Sequence, residues 1–218
     1  MSDGFAEMVT TARTFLGGLQ QNNDRDWFES HKPTFKADIE APLKLLTDLF
    51  AEDLARLTGT SHAGKVGRIY RDVRFSKDKS PYNTHVHAYW MQAAGEAGLG
   101  WLFHIDEGGA RLMTGLHALD PEGLTRYRAA VDRDGDALQA AIDAGRAAGA
   151  DLVDFDDSTL KKVPKPYDPD HPHADLLRRK QIGLGAALST DQGDLMPAMV
   201  ARLQTLLPFW RWCQAAVG

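Results

Sequence analysis

The hydrophobic pattern of this chain changes period twice, and that limits the folds open to it. Over residues 5–57 apolar side chains recur at helical spacing: Phe15, Leu16 and Leu19, then Trp27 and Phe28, then Leu43, Leu46, Leu49, Phe50, Leu54 and Leu57. Over residues 65–117 the period falls to two, most cleanly where Leu99, Trp101, Phe103 and Ile105 alternate with Gly100, Leu102 and His104. From residue 121 it returns to the helical value. Helices that bracket a run of strands, rather than alternating with them, predict an α+β fold. Short connections between successive strands predict an antiparallel sheet. The expectation is a single domain over residues 1–218. Its central antiparallel sheet comes from residues 66–117, flanked by helices from 5–57, 121–148 and 191–216.

Local signals place the boundaries. Asn22, Asn23 and Asp24 break the first helix and cap the second. Pro42 suits the first turn of a third helix, and Gly59 its end. Residues 66–75 read as the first strand, with a polar loop over 76–81; residues 84–92, a segment from Leu99, and 111–116 read as three more. Gly95, Gly98 and Gly100 mark a turn region, and Glu107-Gly108-Gly109 a hairpin turn. Asp120-Pro121 opens a helix that Asp134-Gly135 divides. Residues 151–172 are irregular, 173–180 form a short helix and 181–188 a fifth strand. Asp191 caps a last helix, which Pro208 kinks or ends before Trp210 and Trp212.

Composition narrows the function classes. A chain of 218 residues, 43% hydrophobic and 25% charged, is an ordinary globular sequence and not a disordered or collagen-like one. Such a length buries roughly 70% of its unfolded surface. The net charge of -5 argues against broad nucleic-acid binding, which needs an excess of Lys and Arg. Cys213 is the only cysteine, so no intrachain disulfide is expected and a reducing compartment is the simplest reading. Residues 1–7 lack the basic and apolar regions of a secretory signal, and no apolar stretch is long enough to span a membrane. The expectation is the cytoplasm of a bacterium-like cell, with no membrane partner and no cofactor. Oligomeric state is not legible.

The unusual segment is 68–82. It carries Arg68, Arg71, Arg74, Lys77 and Lys79 against Asp72 and Asp78, so it is basic inside an acidic protein. Read as a strand, it puts Ile69, Arg71, Val73 and Phe75 on a core-directed face, with Arg71 in the middle. A buried guanidinium is costly unless paired, so Arg71 should meet an anion. Asp72, Asp78 and the run Asp151, Asp154, Asp156, Asp157 are the candidates within the chain.

The pattern Arg68-x-x-Arg71-Asp72-x-Arg74-Phe75, then Asp78-Lys79-x-x-Tyr82, resembles the signature of an uncharacterised family of bacterial and fungal proteins, a domain of unknown function. Phe15-Leu16-x-x-Leu19, Asn22-Asn23 and Trp27-Phe28 resemble its N-terminal pattern. Pro164, Tyr167, Asp168, Asp170-His171-Pro172, Leu176-Leu177 and Lys180 resemble its C-terminal block. The resemblance covers nearly the whole chain. It implies a grouping and no chemistry. Where the family usually has Lys after the Pro-Tyr pair, this chain has Asn83, which implies one lost contact if that Lys touches a ligand.

Three readings of the segment stand side by side. The first is a pocket in which Arg68, Arg71, Arg74, Lys77 and Lys79, lined by Tyr82, hold a small phosphorylated or carboxylated ligand. In that reading Asp72 or Asp78 orients the guanidinium groups or acts as a base in an enzyme. The second is a salt-bridge network that locks the segment in place. The third is a non-catalytic interaction module whose basic surface docks an acidic partner.

Other constellations are weaker. His85 and His87 share a strand face, and with His104 or His117 they form a metal-site candidate. Scattered sheet histidines are the plainer reading. Asp132-x-Asp134-Gly135-Asp136 lacks the glycine position and the glutamate of a calcium loop, and reads as a helix turn. Asp72, Asp78 and Lys79 suggest a magnesium nuclease only if they converge. Gly183-x-Gly185 lacks the third glycine of a dinucleotide fingerprint. Ser76 and Ser80 have no evident histidine partner, and Cys213 beside Trp212 reads as packed. The Pro-rich segment 161–167 is either a flap that adds Lys165 and Tyr167 to the basic site or a surface loop packed by Tyr167.

Overall fold

The computed structural model describes residues 4–92, 98–153, 159–189 and 194–218. The N-terminal part is helical: α1 (Phe5–Gln21), α2 (Arg25–Thr34), a π-helical turn (Phe35–Glu40) and α3 (Ala41–Thr58). Asp24 caps α2 by accepting the Trp27 N–H at 2.9 Å, and Gly59 ends α3 at φ 77°. The strands are β1 (His62–Val66), β2 (Val86–Gln92), β3 (Leu99–Asp106), β4 (Gly109–Leu116), β5 (Ala150–Leu152) and β6 (Ile182–Leu188). Between and after them come α4 (Pro121–Ala147), α5 (Ala174–Arg178) and α6 (Leu195–Val217). The six strands form one antiparallel sheet in the order β1-β2-β3-β4-β6-β5, so the fold is α+β, as the period changes require.

Alternation sorts the sheet into two faces. Val86, Ala88 and Trp90, then Leu99, Trp101, Phe103 and Ile105, then Leu112 and Leu116, are buried beneath the helices. The Trp90 indole donates to the Thr47 carbonyl in α3 at 2.8 Å and meets Phe50 edge-on at 5.1 Å. Trp101 stacks on Trp210 of α6 at 6.3 Å. Each such ring removes on the order of 200 Å² from water, worth about 4–5 kcal/mol by area. The other face carries half-buried side chains and a glycine row.

Several boundaries differ from the sequence expectation. The first strand is not 66–75: β1 ends at Val66, and residues 67–85 leave the sheet as an arm. The arm pairs with itself, through Arg71 N–H to the Pro81 carbonyl (2.9 Å), Asn83 N–H to the Ile69 carbonyl (2.7 Å) and a bridge between Tyr70 and Tyr82. Ile69 is buried, but Phe75, placed by alternation on the same core-directed face, is 96% exposed. The true β1, His-Ala-Gly-Lys-Val, is poor in strand formers. Its Gly64 is required because a Cβ there would come within 2.6 Å of Thr47 and 2.9 Å of the Trp90 indole. The sheet also reaches past residue 117, since β5 and β6 complete it. α6 runs through Pro208 to Val217, its line held by the buried Phe209, Trp210 and Cys213. Asp134 does break the helical geometry inside α4. Gly95 and Asp191 lie outside the described residues; Asp194 is the residue before α6. No helix among the described residues is long and apolar enough to cross a membrane.

Candidate functional site

The basic segment is the arm, and it is built from its root outward. The chain leaves β1 at Gly67, whose N–H donates to the His87 carbonyl at 2.8 Å. The returning limb is anchored by Tyr82, 3% exposed, whose ring stacks on Phe28 of α2 at 4.1 Å. Asn23, at the α1–α2 corner, clamps the Tyr82 backbone: its Oδ1 accepts the Tyr82 N–H at 3.1 Å, and its Nδ2 donates to the Tyr82 carbonyl at 3.0 Å. The side-chain amide thus serves Tyr82 as a neighbouring strand would.

Beyond the anchor, charges staple the loop. Arg71 Nη1 donates to Asp78 Oδ2 at 2.5 Å and to the Ser80 carbonyl at 3.2 Å. Asp78 Oδ1 accepts the Ser80 N–H at 2.9 Å and the Ser80 hydroxyl at 2.7 Å. Arg74 forks onto Asp72, with Nε at 2.9 Å from Oδ1 and Nη2 at 2.6 Å from Oδ2. Lys79 Nζ donates to the Val73 carbonyl at 3.0 Å. The Ser80 amide and hydroxyl, then Arg71, hold Asp78 far below the usual carboxylate range; Arg74 lowers Asp72 in the same way. Both carboxylates are held ionised with their oxygens engaged, and neither is poised to accept a proton at neutral pH.

The sequence candidates therefore divide. Arg71, Asp72, Arg74, Asp78 and Lys79 come together as one internally paired loop. Arg71 is not buried on an apolar face, since its side chain keeps 26% exposure. Its partner is Asp78, while Asp72 serves Arg74 and Asp151 serves Arg146 at 2.9 Å. Asp154, Asp156 and Asp157 lie outside the described residues. Arg68 and Lys77 are exposed and have no ion-pair partner among the described residues. Tyr82 belongs to the core and not to a ligand surface. Phe75, which alternation directed inward, faces solvent instead. It stands at the tip, with the Arg74 guanidinium 5.9 Å above its ring.

His85 and His87 do gather with His104: ring centroids lie 5.4 Å apart for His85–His87 and 4.9 Å for His85–His104. His117 does not join them, because it follows β4 at the opposite end of the β3–β4 pair. No group of His, Cys, Asp or Glu among the described residues is arranged to hold a metal ion. Burial, then its neighbours His104 and His87, pushes His85 down to about 4; burial and His104 lower His87; burial also lowers His104, against the pull of Asp106. The cluster is a neutral one. Tyr167 of the Pro-rich segment packs against the core, within the field of Asp132 and Arg128 on α4.

A family model described as conserved hypothetical protein (DUF2461) matches residues 11–212 of the chain. No curated protein and no solved structure matches it.

Proposed function

We propose, from the premise that the chain belongs to the DUF2461 family of conserved hypothetical proteins and inherits no chemistry from that membership, that it is a non-catalytic interaction module whose arm docks an acidic surface of a protein partner. The observation that carries this reading is Phe75, 96% exposed at the tip of a loop that its own salt bridges hold in shape. Burying a phenylalanine yields about 2–3 kcal/mol. Arg74 over its ring, Lys77 and Lys79 in the same loop, and Arg68 at the arm's root supply the charge that steers an acidic partner and sets orientation. The arrangement follows the anatomy of an interface hot spot, an aromatic centre with a charged rim. Because the loop is pre-ordered, little entropy is lost when it binds. The isolated, buried Cys213 accords with a cytoplasmic setting.

A small phosphorylated or carboxylated ligand is the second reading, favoured by the exposed Arg68 and Lys77, which have no ion-pair partner among the described residues. One set of measurements separates the two. Acidic peptides of equal charge, with and without a leucine pair, are titrated against the wild type and Phe75→Ser. Docking predicts that the leucine-bearing peptide binds about tenfold tighter to the wild type, and that Phe75→Ser erases the difference. Equal affinities in the wild type refute it. A rise in melting temperature with phosphate or sulfate at constant ionic strength, abolished by Arg68→Ala, would establish the small-ligand reading instead.

A further inference from the structure

The outer face of the sheet holds a second feature, unrelated to the arm's charges. The register sets Gly100 of β3 opposite Gly115 of β4, and Gly115 opposite Gly183 of β6. One cross-strand row therefore lacks side chains on three neighbouring strands. At a strand spacing of about 4.8 Å, that floor extends roughly 10 Å across the sheet. Met91 of β2 closes the row at one side, opposite Gly100. The parallel row carries Tyr89, Leu102 and Met113, in register with one another, and forms a wall. The result is a trench of about 590 Å³, walled further by His87 and Val153.

Backbone geometry explains why glycine stands at two of these positions. Gly115 lies at φ 156°, and a Cβ on it would collide with the Ile182 carbonyl. A Cβ on Gly100 would lie 2.6 Å from Met91 Sδ. Neither fact accounts for a trench of this size with apolar walls. Glycine within a strand weakens it and marks places where another group approaches the backbone closely.

We infer that the trench binds a small, planar, uncharged molecule, an aromatic or conjugated ring system with a polar edge. The size is that of a small-molecule site. The depth is one missing side chain, which suits a flat body lying on the peptide groups of the floor. Among the described residues no Asp, Glu, Lys or Arg lines the trench, so a charged ligand there would be desolvated with no counter-ion from them. Met91 and Met113 offer polarizable, adaptable contacts to a ring. His87 and Tyr89, ring centroids 6.1 Å apart, supply the polar groups for the edge. Burial keeps the His87 imidazole neutral, in keeping with an uncharged occupant.

The test uses the full chain and two dyes, the neutral planar Nile red and the anionic anilinonaphthalene sulfonate. Expected is saturable one-to-one binding of Nile red with a blue-shifted emission, and binding of the anionic dye at least about tenfold weaker, a difference of about 1.4 kcal/mol. Leu102→Trp fills the trench and Met113→Glu places a charge in it; each should weaken Nile red at least about tenfold while the thermal transition stays cooperative. Phe75→Ser, which concerns only the arm, should leave Nile red binding unchanged, so this inference and the docking proposal fail separately. Labelled methionine methyls in the wild type supply a readout that needs no variant: Met91 and Met113 should shift on adding Nile red. Equal binding of the two dyes, an unchanged affinity in a folded Leu102→Trp or Met113→Glu, or methyl shifts confined to other methionines would overturn the inference.

Discussion

Asn23→Ala should destabilise the protein more than any other exposed or half-exposed polar substitution in the α1–α2 corner. The side chain makes two hydrogen bonds, 3.1 Å from the Tyr82 N–H and 3.0 Å to the Tyr82 carbonyl, and Tyr82 is 3% exposed. A net hydrogen bond is worth about 1 kcal/mol, and a donor or acceptor left unsatisfied in the interior costs about 1–3 kcal/mol. Removing both bonds beside a buried ring therefore costs about 2–4 kcal/mol. For a chain of this length that is a fall of roughly 5–15 °C in melting temperature. The control is Asn22→Ala, whose exposed side chain donates to the Gly18 carbonyl at 3.0 Å and should cost less than about 0.5 kcal/mol. Asn23→Asp adds a test of chemistry. It keeps the acceptor for the Tyr82 N–H but sets a carboxylate against the Tyr82 carbonyl. Its folded-state pKa is then raised above the unfolded value, and its deficit relative to wild type should shrink as the pH falls through the carboxylate range. Urea unfolding followed by tryptophan fluorescence measures all three. If Asn23→Ala unfolds at the same urea midpoint as Asn22→Ala, the clamp does not hold the arm and the reasoning fails.

The His85 imidazole is held at about 4 by burial and by its histidine neighbours, against about 6.5 in the unfolded chain. The unfolded state binds more protons between those values, so stability should fall as the pH drops from about 6.5 to about 4 and then level off; the loss is at most about 3 kcal/mol and nearer 1–2 after allowing for partial solvation. His85→Asn should flatten part of that slope in denaturant melts at pH 7.5 and 5, and an unchanged slope would acquit His85. Arg71→Met should speed hydrogen exchange at the Ser80 amide, which Asp78 holds at 2.9 Å, yet lower the melting temperature by only a few degrees, because the pair is partly exposed; a large fall would restore the buried-pair expectation. Phe75→Ser should leave the melting temperature within about 1 °C, whereas Phe28→Ala, removing a ring 1% exposed, should cost about 3–5 kcal/mol. Comparable losses in the two would place Phe75 in the core and remove the basis of the docking proposal.

What the sequence disclosed depended on how each residue spends its side chain. The α+β layout was legible because the inner-face residues of β2, β3 and β4 do one thing, burial, and burial leaves a period. The basic motif was legible as a composition but not as a geometry. Ile69 and Phe75 both read as apolar residues of one strand face, yet one enters the core and the other stands in solvent. Alternation can be trusted only where a ladder enforces it, and here the ladder ends at Val66. The charges were legible as a choice between readings and not as a geometry. Five cations in fifteen residues left a pocket, a salt-bridge network and a docking surface open, and in the structure Asp78 and Asp72 pair with Arg71 and Arg74 locally. Arg68 and Lys77 keep no ion-pair partner among the described residues, and Phe75 stands in solvent at the tip. The trench was hidden for the opposite reason. Gly100, Gly115 and Gly183 lie far apart in the chain and each passes as a turn or a weak strand position. Only the register of three strands aligns them into one row, and register is a property of the folded sheet and not of any segment within it.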